Sequence, residues 1–150
     1  MTRASRLEPI AELAGMVETD AARRLASAVK ALKTKEQEVA QLRGYLAEYR
    51  QRAELEQGSQ DSLRWQNSRA FLARLSEAVA AHEAELDKAV ERYRLEADQW
   101  RDSHRRAQSL GQVVERAERD AQQAVAKRAQ GELDEQALRR ALERQQRSLA

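Results

Sequence analysis

His82 and His104 are the two histidines of a chain that has no cysteine, so they are the first residues to weigh for metal binding or proton transfer. Metal and acid–base sites need imidazoles, thiolates or carboxylates that converge. On one helix the two histidines stand about 33 Å apart by the rise per residue, too far to share a ligand sphere. There is no glycine-rich phosphate loop and no nucleophile with a neighbouring base. No catalytic, metal-binding or cofactor-binding residue is assigned, and the chain is expected not to be an enzyme. A different chemistry is open to Tyr45, Tyr49, Trp65 and Phe71, four of the six aromatics, which cluster in sequence around residue 60. Rigid aromatics on a surface anchor protein partners.

Nucleic acid is a poor fit as the partner. The 27 basic and 25 acidic residues leave a net charge of +2, and phosphate recognition needs a one-sided basic stripe. The nearest candidate, Arg101 with Arg105 and Arg106, is flanked by Asp98 and Asp102. Counted by thirds, the middle of the chain is acidic and both ends are basic. No window approaches the roughly 18 apolar residues of a membrane span, and residues 1–16 hold no apolar stretch of signal-peptide length. With the lack of cysteine, this points to a reducing cytoplasm and to no direct membrane insertion.

Long helices must position these residues. Charged residues make up 35% of the chain, above the usual quarter, and alanine, leucine, glutamate, glutamine and arginine dominate, all good helix formers. A single proline and five glycines interrupt little. Helix one is expected over about 8–56, with Ser5 and Glu8 at capping-box spacing and Pro9 in the first turn. The turn-forming cluster Gln57-Gly58-Ser59-Gln60-Asp61-Ser62 is expected to reverse the chain over about 57–62. Asp61 or Ser62 can cap helix two, over about 63–146. The whole, 1–150, reads as a single all-α coiled-coil domain, an antiparallel hairpin of two long helices whose C-terminal helix overhangs.

Periodicity supports that pairing. Leu25, Ala28, Leu32, Lys35, Val39, Leu42, Leu46, Tyr49 and Ala53 alternate steps of three and four, as a left-handed coiled-coil seam requires. Lys35 alone breaks its apolar character. Val17, Ala21 and Leu25 are spaced four and four, which predicts a local phase shift. Leu72, Leu75, Val79, His82, Leu86, Ala89, Tyr93, Ala97, Trp100, His104 and Ala107 form the facing stripe. A turn near residue 60 gives paired numbers that total roughly 119, placing Tyr49 near Ala70, Leu42 near Glu77 and Ile10 near Ser109. Helix one then runs out at Gly111, and beyond it Val114, Ala117, Ala121, Val125, Leu138 and Leu142 mark an apolar face without an intramolecular partner.

Near the turn the apolar band is wider than one helix can cover. Leu42, Leu46 and Tyr49 already fill the helix-one seam, which leaves Tyr45 on a flank. Phe71 precedes seam residue Leu72 and shares a flank with Leu75, Ala78 and His82. Plain packing and docking are both open for these aromatics.

The segments Tyr45-x-x-Glu48-Tyr49-Arg50 and Arg64-Trp65-x-Asn67-x-x-x-Phe71, followed by Leu75, Ala78 and His82, resemble the FliJ family of flagellar type III export proteins. Trp100-Arg101 and Asp134-Glu135-x-Ala137-x-Arg139 extend the resemblance over nearly the whole chain. It implies an antiparallel two-helix stalk, similar to the central stalk of rotary ATP synthases, which enters the flagellar export ATPase hexamer and promotes its assembly. It also implies contact with the cytoplasmic domain of the large export-gate membrane protein, and escort of late-substrate export chaperones. Such a protein is cytoplasmic and peripherally associated with the inner-membrane export apparatus. Carried over by motif, the gate-binding face is Leu42, Tyr45, Tyr49, Phe71, Leu75, Ala78 and His82. Where the family pattern has a glutamine one turn before Leu42, this chain has Glu38 beside Gln37. No motif assigns ATPase-binding residues, which the stalk analogy places near the open end of the hairpin. The rival readings are the equivalent stalk of a virulence type III injectisome and a generic scaffolding coiled coil.

Overall fold

A computed structural model of the chain describes residues 2–56 and 62–150. Residues 57–61, with most of the expected turn and the candidate cap Asp61, lie outside the described residues. Two helices account for nearly everything described: α1, Arg3–Leu55, and α2, Ser62–Leu149. They pack antiparallel as a coiled-coil hairpin, and there is no strand among the described residues.

The N-terminal end of α1 differs from the expected one. The Ser5 N–H donates to Thr2 Oγ1 at 3.2 Å and the Ser5 hydroxyl to the Thr2 carbonyl at 2.9 Å. Thr2 is therefore the N-cap, satisfying a first-turn donor that has no carbonyl within the helix. Ser5 and Glu8 lie inside α1, as does Pro9. Pro9 withholds one N–H from the second turn without ending the helix. Ser62, offered as a cap, is the first residue of α2.

The chain forms two compact units, Thr19–Asp102 and Met1–Glu18 with Ser103–Ala150. In the first, the expected seam is the covered one. Ala28, Val39 and Leu46 of α1 are buried, as are Val79 and Ala97 of α2, while the intervening seam residues are half-covered. Ala21 and Ala28 are the most completely enclosed alanines, at 0% and 1% exposure. The register given by the Arg24–Glu96 and Lys35–Glu85 pairs sets them level with Trp100 and Tyr93. Small residues of α1 thus stand at the height of large ones of α2, as interdigitated packing requires.

In the second unit the same alternation continues through smaller residues. Ala4 and Ala14 are buried, and Leu7, Ala11 and Glu18 are half-covered. The predicted phase shift is absent: Glu18, not Val17, occupies the seam, and Val17 is exposed. Because α1 starts at Arg3, its partner surface on α2 extends past Gly111. Ala117 is buried and Val114 and Ala121 are half-covered, which corrects the expectation that they are bare. From residue 122 onward every α2 residue is exposed, Val125, Leu138 and Leu142 included. The overhang is real but begins about three turns later than the sequence suggested.

Candidate functional site

The seven residues assigned to the gate-binding face all lie in the unit Thr19–Asp102, on facing stretches of α1 and α2. Tyr49 and Phe71 meet edge to face, with ring centroids 4.9 Å apart and planes at 68°. That is the arrangement the aromatic quadrupole favours. The pair is not enclosed: Tyr49 is 37% exposed, Phe71 44% and Tyr45 45%. The Tyr45 hydroxyl oxygen accepts from Gln41 Nε2 at 3.0 Å, and the Arg52 guanidinium lies 5.3 Å from the Tyr49 ring centre. Local bonds thus hold both tyrosines while their rings stay open to solvent. Leu42, Leu75, Ala78 and His82 are half-covered.

Beside this face the seam contains a polar cluster. Lys35 Nζ donates to Glu38 on its own helix at 3.0 Å and to Glu85 across the seam at 2.5 Å. His82 Nδ1 lies 3.8 Å from the Glu38 carboxylate and 3.7 Å from that of Glu85; it is buried and makes no hydrogen bond. Hydrogen bonds to its carboxylate neighbours hold the Lys35 ammonium above the ordinary lysine range, Glu85 contributing most. The Lys35 ammonium in turn pulls Glu85 below the ordinary carboxylate range. Glu38 takes part in the contacts of both Lys35 and His82. Further pairs cross the seam on the same unit: Arg43 with Glu83 at 2.8 Å and Arg24 with Glu96 at 3.2 Å.

Toward the end of α1, Tyr49, Arg52, Ala53, Leu63, Asn67 and Phe71 line an open groove of about 510 Å³. Leu63 is 65% exposed, and Arg69 stacks 4.7 Å from the Trp65 ring centre. Sequence reasoning singled out Trp65 but not Leu63, which lies at the start of helix two, before the first position of its seam.

In the unit Met1–Glu18 with Ser103–Ala150, His104 Nδ1 lies 2.6 Å from Glu18 Oε1 across the seam. The two histidines thus sit in separate polar contacts, each with a glutamate of the other helix. Ile10, Leu13, Met16 and Val17 are exposed on one side of α1. Arg101, the candidate for a phosphate contact, pairs with Asp98 at 2.9 Å. Among the described residues no group of three or more metal-ligating side chains converges, and no helix is long and apolar enough to cross a membrane.

The pattern of the family described as Flagellar FliJ protein matches residues 3–146. Comparison with individually curated proteins finds no match.

Proposed function

The chain belongs to the FliJ family, which marks it as a flagellar-type export component, and from that premise we propose that it works as a non-enzymatic coiled-coil stalk. It binds the flagellar export ATPase hexamer, promotes ring assembly, couples the ring to the cytoplasmic domain of the large export-gate protein and escorts late-substrate chaperones. It acts in the cytoplasm, peripherally associated with the inner-membrane export apparatus. The observation that carries this reading is the aromatic face of Tyr45, Tyr49 and Phe71, which remains more than a third exposed even though both helices are fully formed around it. Soluble proteins rarely leave several aromatics together on a surface without a partner for them. Leu42, Leu75, Ala78 and His82 complete that face, and its occupant is the gate domain.

Partner-depleted aromatics of this kind give most of the binding energy of an interface. Phe71→Ala is expected to weaken capture of the purified gate domain about tenfold or more, with helix content by circular dichroism unchanged. Loss of helicity in step with binding would return Phe71 to ordinary packing. The ATPase contact is read separately, by hydrolysis rate and ring formation with and without the chain. No change in either would remove the ATPase from the proposal.

A further inference from the structure

Leucine packing alone does not define how far α1 and α2 are slid along one another. Leu42 faces Val79 in the observed register, yet a slip of one heptad would set it against Leu72 or Leu86, and Ala28 against Leu86 or Trp100 in place of Tyr93. Such layers are nearly interchangeable. The ion pairs are not. Moved by seven residues, Lys35 would exchange Glu85 for Ala78 or for the like-charged Arg92. Glu38 would exchange His82 for Leu75 or Ala89, Arg43 would exchange Glu83 for Ser76 or Val90, and Arg24 would exchange Glu96 for Ala89 or Ser103. Both slipped registers lose every one of these cross-seam contacts.

We propose that Lys35, with Glu38 and Glu85 around it, is an alignment device that selects this register over its one-heptad neighbours and thereby sets Tyr45 and Tyr49 on α1 beside Phe71, Leu75 and Ala78 on α2. The Lys35 side chain keeps 29% of its surface exposed and that of Glu85 53%, so the contact adds little stability; its effect lies in the penalty on the alternatives. A charged residue in a mainly apolar seam fixes register in this way, by leaving charges unpaired or opposed when the helices slide. The consequence for docking rests on the proposed gate-binding role of the aromatic face; the register claim does not.

The two are separable by experiment. Spin labels at Ala26 and Ala80, both exposed and outside the face, report the slide of α2 along α1 in the full chain. Lys35→Glu places a third carboxylate beside Glu38 and Glu85 and favours the register that brings residue 35 to Arg92. The label distance is expected to gain a population longer by about 10 Å, one heptad of helical rise, and binding of the gate domain is expected to fall in parallel. Lys35→Glu combined with Glu85→Lys restores both. Should Lys35→Glu fail to fold, Lys35→Leu serves in its place: helicity is kept and the label distances become mixed. One unshifted distance in a folded Lys35→Glu or Lys35→Leu chain overturns the inference. A shifted distance with unchanged gate affinity upholds the alignment device and removes the gate from that face.

Discussion

The unit Thr19–Asp102 and the unit Met1–Glu18 with Ser103–Ala150 are built on one three-four repeat, but they fill it with different residues. The first carries Leu32, Val39, Leu42, Leu46, Leu72, Leu75 and Val79, cross-seam ion pairs and an aromatic flank. The second carries Ala4, Ala11, Ala14, Ala107 and Ala117, and then a stretch of α2 in which every residue is exposed. Apolar area removed from water is the main stabilising term, and an alanine seam removes little of it. The difference teaches that periodicity specifies pairing while side-chain size decides where the pairing is firm. It also separates two kinds of surface: beside the filled seam Tyr45, Tyr49 and Phe71 stay part exposed, whereas the end of α2 is helical with its apolar positions exposed.

The largest expected effect lies in the firm seam. Leu46 is buried at 7% exposure, and Leu46→Ala is expected to cost about 2 to 3 kcal/mol in urea or thermal unfolding, by lost transfer energy and the cavity left behind. Leu138→Ala, at a position 61% exposed, is expected to stay within about 0.5 kcal/mol of the parent. Equal losses from the two substitutions would erase the contrast between the units. Hydrogen exchange sharpens the same contrast. Amides at Val39 and Val79 are expected to be the most protected and those beyond residue 122 the first to exchange, since few apolar contacts hold the latter closed.

The aromatic pair gives an intermediate effect. Phe71→Ala removes the edge contact on Tyr49 and is expected to cost about 1 kcal/mol in stability, the usual worth of such a pair when it is partly exposed. The smallest effect belongs to pH. Glu85 has its carboxyl lowered by Lys35 in the folded chain, so its contribution is present above the ordinary carboxylate value of 4.5 and is lost as pH falls through the lower, folded one. Lys35 is raised, so its contribution is present below the ordinary 10.5 and is lost as pH rises through the folded value. Lys35→Met is expected to lower the melting temperature slightly near pH 7, where both contributions are present, and to converge on the parent's at both extremes, where the parent has already lost them. A profile identical to the parent's would show that the pair has no net stabilising role.

The firm part of the hairpin was legible because large apolar residues announce their phase. Every seam position read from Leu25 to Ala53 on α1, Tyr49 apart, and from Leu72 to Ala107 on α2 is half-covered or buried. Tyr49 stays exposed, on the edge of Phe71. The alanine part was not legible for the complementary reason: alanine is also the residue helices use on their outer faces, so Ala4, Ala11 and Ala14 carry no contrast with their surroundings. Val17 then drew the stripe away from Glu18, whose place on the seam makes sense only once His104 is known to lie opposite it. Thr2 was overlooked because Ser5 and Glu8 show the spacing of a capping box one turn later. Lys35 read as a flaw in the seam, since spacing along one helix says nothing of the Glu85 carboxylate arriving from the other.

The claim that the aromatic face is a docking surface is tested most directly by the affinity of the purified gate domain for the full chain and for Tyr45→Ala. Tyr45 is 45% exposed and its ring lies outside the seam, so its removal leaves the hairpin's melting temperature in place. The predicted result is gate affinity reduced about tenfold at unchanged melting temperature. Affinity equal to the parent's in a chain that melts normally would contradict the account.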